Sequence, residues 1–297
     1  AVVGHELEKF SGRINLDYYA SERVKFIVKL SGIFQNRFNN ENEILSYAYL
    51  MLPWHNPYNE DGSVKKITNG MQSPVWYSRD KLNPLYDRQF NYTRSRNNLY
   101  MSDLILQIKL TDWLNFSSGN RLHNINSRFE EIIDARSLSG QADNGSIGNS
   151  YSHYNSISTS NIFHFDLNRK KHRVFGLVAS EYSLSYFDNI SGTGKGVYPT
   201  IEILNGTSVP KNLDGSKTKS AFLSLLSNIQ YNYDQKYMAQ ASFRRDGSSR
   251  FGANKRFGNF YSVGVSWALH RESFMKSVDF VDHLKFRGSY GSVGNAN

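Results

Sequence analysis

The residues best suited to chemistry gather near the C-terminal end: Arg244, Arg245, Asp246, Arg250 and Arg256, spaced by Gly247, Gly252 and Gly258. Four guanidiniums around one carboxylate can bind an anionic ligand. They can equally fork onto Asp246 and hold a loop whose glycines permit a tight backbone. The structural latch is the favoured reading, with anion binding as its alternative. A second group is aromatic: Trp54, Trp76 and Tyr77, in a stretch that also carries Tyr47, Tyr49 and Tyr58. Flat rings stack on sugar faces or pack under one another, and both roles stay open. Trp54, Trp76 and Tyr77 are the candidates for contact with a ligand or a partner protein.

Other motifs lose their chemistry on inspection. Gly192-Thr193-Gly194-Lys195-Gly196 lacks the four residues that a phosphate loop needs before its Gly-Lys pair, and Gly196 stands where Ser or Thr belongs. A flexible loop is expected there. Asn59-Glu60-Asp61-Gly62 has no closing glutamate for calcium and reads as an Asp-Gly turn. The eight histidines include no His-Glu-x-x-His helix, and His164 and His172, which bracket one hairpin, read as a polar pair at strand ends. No G-x-S-x-G elbow and no glycosidase-like carboxylate pair is evident. No catalytic residue, metal or cofactor is expected, and the chain does not read as an enzyme. Cysteine is absent, which excludes disulfides and thiolate sites. The net charge of +9 comes from Lys and Arg scattered over strands and turns, which argues against nucleic acid as a partner.

The elements that must carry these residues are strands. Tyr237, Ala239, Ala241 and Phe243 alternate with Met238, Gln240, Ser242 and Arg244, the period of two of a half-buried strand. The pattern recurs at about 13–19, 24–37, 99–110, 115–129, 151–166, 172–186, 219–233, 261–270 and 284–290, giving about ten strands. Short turns alternate with long connections at 38–96, 130–150 and 187–217, the first with a short helix expected near 43–52. Only the link 271–283 is long on the short-turn side.

Such alternation suits a soluble sandwich or a membrane barrel, and the loops decide between them. Short turns at one end and long loops at the other belong to outer-membrane barrels. Tyr18, Trp113, Tyr231, Tyr233, Tyr237 and Trp267 sit near strand ends, where an interfacial girdle would place them. No run reaches the roughly 20 apolar residues of a membrane helix. The expected fold is therefore all-β, part of a large antiparallel transmembrane barrel. Val24, Val28, Leu223, Leu225, Val263 and Val265 are expected to face lipid, and Lys29, Asn228, Gln230 and Ser266 the lumen. A soluble secreted binding or adhesion protein and a β-rich glycan hydrolase are the alternatives, and detergent dependence separates them from a barrel.

Two ordered motifs carry a family resemblance. The run Arg244-Arg245-Asp246-Gly247-Ser248-Ser249-Arg250-Phe251-Gly252, then Lys255-Arg256-Phe257-Gly258-Asn259-Phe260 and Val263 to Trp267, resembles the SusC/RagA-like TonB-dependent outer-membrane transporters of Bacteroidetes. Leu284-Lys285-Phe286-Arg287-Gly288-Ser289-Tyr290-Gly291-Ser292-Val293-Gly294-Asn295 is similar to the next strand of that family. Tyr261 replaces a frequent proline and Ala253 a common lysine. The resemblance implies a complete barrel of 22 strands with an N-terminal plug, of which residues 1–297 form part of the wall. Nothing in the chain matches the plug or the TonB-contacting segment. It further implies import of glycan oligomers or oligopeptides, energised through the TonB complex, with a SusD-like surface lipoprotein as lid.

Overall fold

Backbone groups on a strand need a neighbour on each side, and here sequence neighbours supply them. In the computed structural model, ten strands among the described residues form one antiparallel sheet in strict sequence order. The structure describes residues 4–40, 56–66, 83–198, 201–252, 256–275 and 280–292. The strands are β1 (His5–Ser21), β2 (Val24–Asn39), β3 (Tyr92–Lys109), β4 (Leu114–Ile133), β5 (Ser146–Arg169), β6 (His172–Val197), β7 (Thr207–Tyr233), β8 (Tyr237–Ser248), β9 (Phe257–Ala268) and β10 (Lys285–Ser292).

Turns at one end are tight. Arg169 pairs with His172, leaving Lys170 and Lys171 as the loop, with Lys170 left-handed at φ 56. Tyr233 pairs with Tyr237, and in the loop between them Asp234 and Gln235 are left-handed at φ 51 and 57. Gln235 tolerates that conformation because the Asn232 side chain accepts its N–H at 2.9 Å. At the other end a helix α1 (Pro84–Asp87) starts at Asn83, whose side chain accepts the Leu85 N–H. The Asn83 amide also donates to the carbonyls of Pro57 and Lys65, and the Asp87 carboxylate accepts the N–H groups of Leu138 and Ser139. One short helix thus ties two long connections together.

Strands overrun their expected limits, mostly toward the long connections. β1 begins at His5 rather than near 13, and β3 at Tyr92 rather than 99. β6 and β7 reach 26 and 27 residues and absorb most of the stretch 187–217. Gly192 to Gly196 is therefore strand, not a flexible loop. Glycine lowers strand propensity, but the ladder continues across it with a single shift near Thr193. At Gly192 the absent side chain leaves room for Leu213, whose Cδ2 would lie 3.1 Å from an added Cβ. The motif run at Arg244 is likewise not a loop: Arg244, Arg245 and Asp246 lie within β8.

Residues directly opposite in a ladder share a face. Following the register, Val28 meets Leu104, and through Asn120, Thr159 and Tyr182 that row reaches Leu223. All six residues expected to face lipid fall on this side, and Lys29, Asn228, Gln230 and Ser266 fall on the other. The apolar side has no cover. Val265 is 65% exposed and Val263 50%, and among the described residues the buried hydrophobics are only Ile132, Ile147, Ala179 and Ala268. In water a face this large would demand a second layer, whereas lipid is itself the cover. At the tight-turn end the row Tyr233, Tyr237, Trp267 stacks, with centroids 6.2 and 6.3 Å apart, and His172 adds a ring 4.9 Å from Tyr233. This is the aromatic girdle expected from the sequence.

Candidate functional site on the polar face

The polar face is where a lumen would be, and serines line much of it. Ser150, Ser152, Ser156, Ser158 and Ser160 come from β5, where every second residue points the same way. They face Ser183 and Ser185 on β6, and Ser185 and Ser220 lie 2.9 Å apart through their hydroxyls.

Two charged groups interrupt the serines. Lys29, Asp103 and Arg121 stand in one row of β2, β3 and β4. The Arg121 fork donates to both Asp103 oxygens, Nε at 2.6 Å and Nη2 at 3.1 Å. Beyond Ser158 and Ser160, Glu181 of β6 stands opposite Ser224, and Ser224 opposite Asp246. Arg244 joins this second group, with Nε 2.7 Å from Asp246 and Nη2 4.0 Å from Glu181. The buried Ser224 hydroxyl donates to Asp246. A groove of about 410 Å³ runs between the two groups, lined by Lys29, Asp103, Arg121, Ser158, Ser160 and Glu181. Paired charges and hydroxyls make a wet, near-neutral surface suited to a polar solute. Asp103, Arg121 and Glu181 were not singled out by sequence. Their place on polar faces was readable, but their pairing depends on register.

The residues proposed as one latch do not come together. Arg244 and Asp246 meet on the polar face, whereas Arg245 points to the apolar side, its guanidinium 5.0 Å from the Phe257 ring. Gly247 assists there by close approach, since an added Cβ would stand 2.4 Å from that ring. Arg250 is exposed, and its N–H donates to the Ser248 hydroxyl. Arg256 accepts the Ser248 N–H through its carbonyl. Trp54, Trp76 and Tyr77 lie outside the described residues, as does the stretch 43–52. Tyr58 pairs with Val64 across the Asp61-Gly62 turn. His164 and His172 fall on opposite faces, so they form no pair; His172 Nδ1 lies 2.8 Å from the Tyr231 hydroxyl instead.

At the tight-turn end, sequence reading missed Glu272. It sits in the link between β9 and β10, flanked by 3-10 turns at Leu269–Arg271 and Ser273–Met275. Its carboxylate accepts from the Tyr237 hydroxyl at 2.6 Å, the Trp267 indole N–H at 3.0 Å and the Lys236 ammonium at 3.0 Å. These donors, Tyr237 first, pull its pKa down to about 2. At the far end Asp143 bridges Lys195 at 2.5 Å and Lys211 at 3.2 Å, and both ammoniums hold its carboxyl below the usual range.

Comparison with known proteins agrees with this geometry. No protein-family model matches the chain. TonB-dependent receptor P39 of Formosa agariphila is 49% identical over 78 residues, 26% of this chain and 8% of that protein. TonB-dependent receptor P3 of the same organism is 21% identical over 99% of this chain and 30% of its own length. TonB-dependent receptor SusC of Bacteroides thetaiotaomicron is 32% identical over 27% of this chain and 8% of its own length. The structure of the RagAB peptide transporter superposes with a TM-score of 0.78 at 22% identity, covering 98% of this chain and 33% of its own. The chain thus spans about a third or less of the relatives it matches. With one face apolar, the other polar and the strands in sequence order, the chain has the fold of a stretch of outer-membrane β-barrel wall and is similar in sequence to TonB-dependent receptors, SusC among them.

Proposed function

We propose that this stretch forms wall and lumen surface of a TonB-dependent importer of glycan oligomers, working with a SusD-like surface lipoprotein. The observation that carries the proposal is the polar face, rich in serine and with its charges matched around the groove between Arg121 and Glu181. A neutral, polyhydroxylated solute gains from hydroxyl and amide partners and needs no net charge along its route. Oligopeptide import is the second reading, favoured by the likeness to the RagAB peptide transporter. The experiment is uptake by cells carrying the whole receptor, with labelled oligosaccharides and labelled oligopeptides in parallel. Glycan uptake that stops when the proton gradient is collapsed or the partner lipoprotein is deleted is the expected result. Peptide uptake alone would transfer the assignment to the second reading, and uptake of neither would overturn both.

A further inference from the structure

Along β2 the outward face changes chemistry at one level. On β2 it is apolar from Val24 to Phe34, a run of about 11 residues, the length a tilted strand needs to cross the hydrocarbon. Phe34 and Tyr100 close that run, their rings edge to face at 5.5 Å. The next outward residue on β2 is Asn36, opposite it stands Arg96 of β3, and opposite Arg96 stands Arg128 of β4. Two residues advance a strand by about 6.6 Å, so both guanidiniums emerge just beyond the Phe34–Tyr100 pair, where lipid headgroups begin.

Like charges directly opposite destabilise a sheet pair. Arg128 is relieved by Glu130, Nη2 to Oε1 at 2.6 Å. Arg94, one outward position higher, lies over the Tyr92 ring at 4.8 Å and reaches Glu202 at 3.5 Å. The side chain of Arg96 is exposed and has neither an ion pair nor a hydrogen bond among the described residues. Glu6 and Glu8 of β1 line the same shallow pocket as Arg94 and Arg96, beyond Asn36, but neither forms an ion pair with Arg96 among the described residues. An unmatched fork beside a second arginine, at headgroup height, has one natural complement: a phosphate whose oxygens accept from both.

We infer that Arg96 and Arg128 form an outward-facing site for the phosphorylated headgroup of a lipid of the outer leaflet. The inference rests on the apolar face meeting lipid and is independent of what crosses the lumen. The planar forks bind two oxygens of one phosphate and cancel their mutual repulsion. The apolar belt below, ending in Phe34 and Tyr100, receives the acyl chains of the same molecule.

The test uses the whole receptor in detergent, titrated with diphosphorylated lipid A, with its dephosphorylated form and with inorganic phosphate, bound lipid being counted by native mass spectrometry. The parent is expected to hold the phosphorylated lipid, and Arg96→Gln with Arg128→Gln to bind it about tenfold more weakly. Lys170→Gln, which removes one positive charge at the opposite end of the sheet as Arg96→Gln alone does at this one, leaves binding as in the parent. Barrel formation is checked by heat-dependent gel mobility. If the double variant forms no barrel, Arg96→Gln alone replaces it, since Arg96 leaves no partner behind. Equal binding by variant and parent, or equal binding of the dephosphorylated lipid, overturns the inference. Displacement of the lipid by millimolar inorganic phosphate would assign the site to the free anion instead.

Discussion

Asp246 accepts from the Arg244 guanidinium and from a Ser224 hydroxyl that has no exposure to solvent. Asp246→Ala should therefore strand a buried hydroxyl, at a cost of about 1–3 kcal/mol, and lower the temperature at which the barrel loses its fast-migrating gel form. Arg245→Ala removes only an exposed contact with the Phe257 ring and should cost about 0.5–1 kcal/mol. Equal losses would restore Arg245 to a common latch. Glu272 gives a pH signature. Its pKa is near 4.5 when free and about 2 in the fold, so between those values the unfolded chain binds more protons than the folded one. The carboxylate's contribution is full above about pH 4.5 and is lost as pH falls toward about 2. Thermal unfolding followed across that window should show a shallower acid slope for Glu272→Gln than for the parent. Parallel curves would mean that its three donors add nothing to stability.

Each strand carries two faces, and accessibility can separate them. Cysteines at Val24, Val28, Leu223, Leu225, Val263 and Val265 should react with a lipid-dissolved label, and those at Lys29, Asn228, Gln230 and Ser266 with a water-borne one. Identical reactivity of the two sets would sink the barrel orientation. β6 and β7 are more than twice as long as the about 9–11 residues a tilted strand needs in the bilayer. Their upper halves stand clear of lipid, held by the Asp143 bridge to Lys195 and Lys211. Asp143→Ala should make trypsin cut at Lys195 and Lys211 severalfold faster while the barrel melts as before. Gly145 supports that bridge, because at φ 80 it takes a turn that a side chain would strain.

At the scale of the molecule, the ten strands among the described residues make one wall in sequence order, with tight turns at one end, the link from β9 to β10 apart, and longer connections at the other. The longest connection carries Trp54, Trp76 and Tyr77, and on the proposed function the long connections are where a glycan or a lid lipoprotein is first met. Truncating a residue that anchors such contacts costs at least about 2 kcal/mol, near thirtyfold in affinity. Calorimetry with the oligosaccharide, and co-purification of the lipoprotein, should each register that loss for at least one of the three alanine variants. If all three match the parent in both assays, the ligand surface belongs to the luminal groove between Arg121 and Glu181.

The alternation of Tyr237 to Phe243 or of Val24 to Phe34 is a local property, because side chains on a strand change face at every residue whatever the neighbour. Strand identity, the two faces, the girdle aromatics and the turn-and-loop asymmetry could thus be read along the chain, and the motif from Arg244 to Trp267 carried the resemblance to TonB-dependent receptors. Strand ends could not be read in this way. Gly192 to Gly196 has the composition of a loop, and only the ladder with β7 makes it strand. Side-chain partners were hidden for the same reason. Asp103 and Arg121 are 18 residues apart, and Arg96 meets Arg128 only through the register of β3 on β4. A shift of one residue would turn either arginine to the other face, so the paired charges of the lumen and the unpaired one beyond Phe34 and Tyr100 were decided by the sheet.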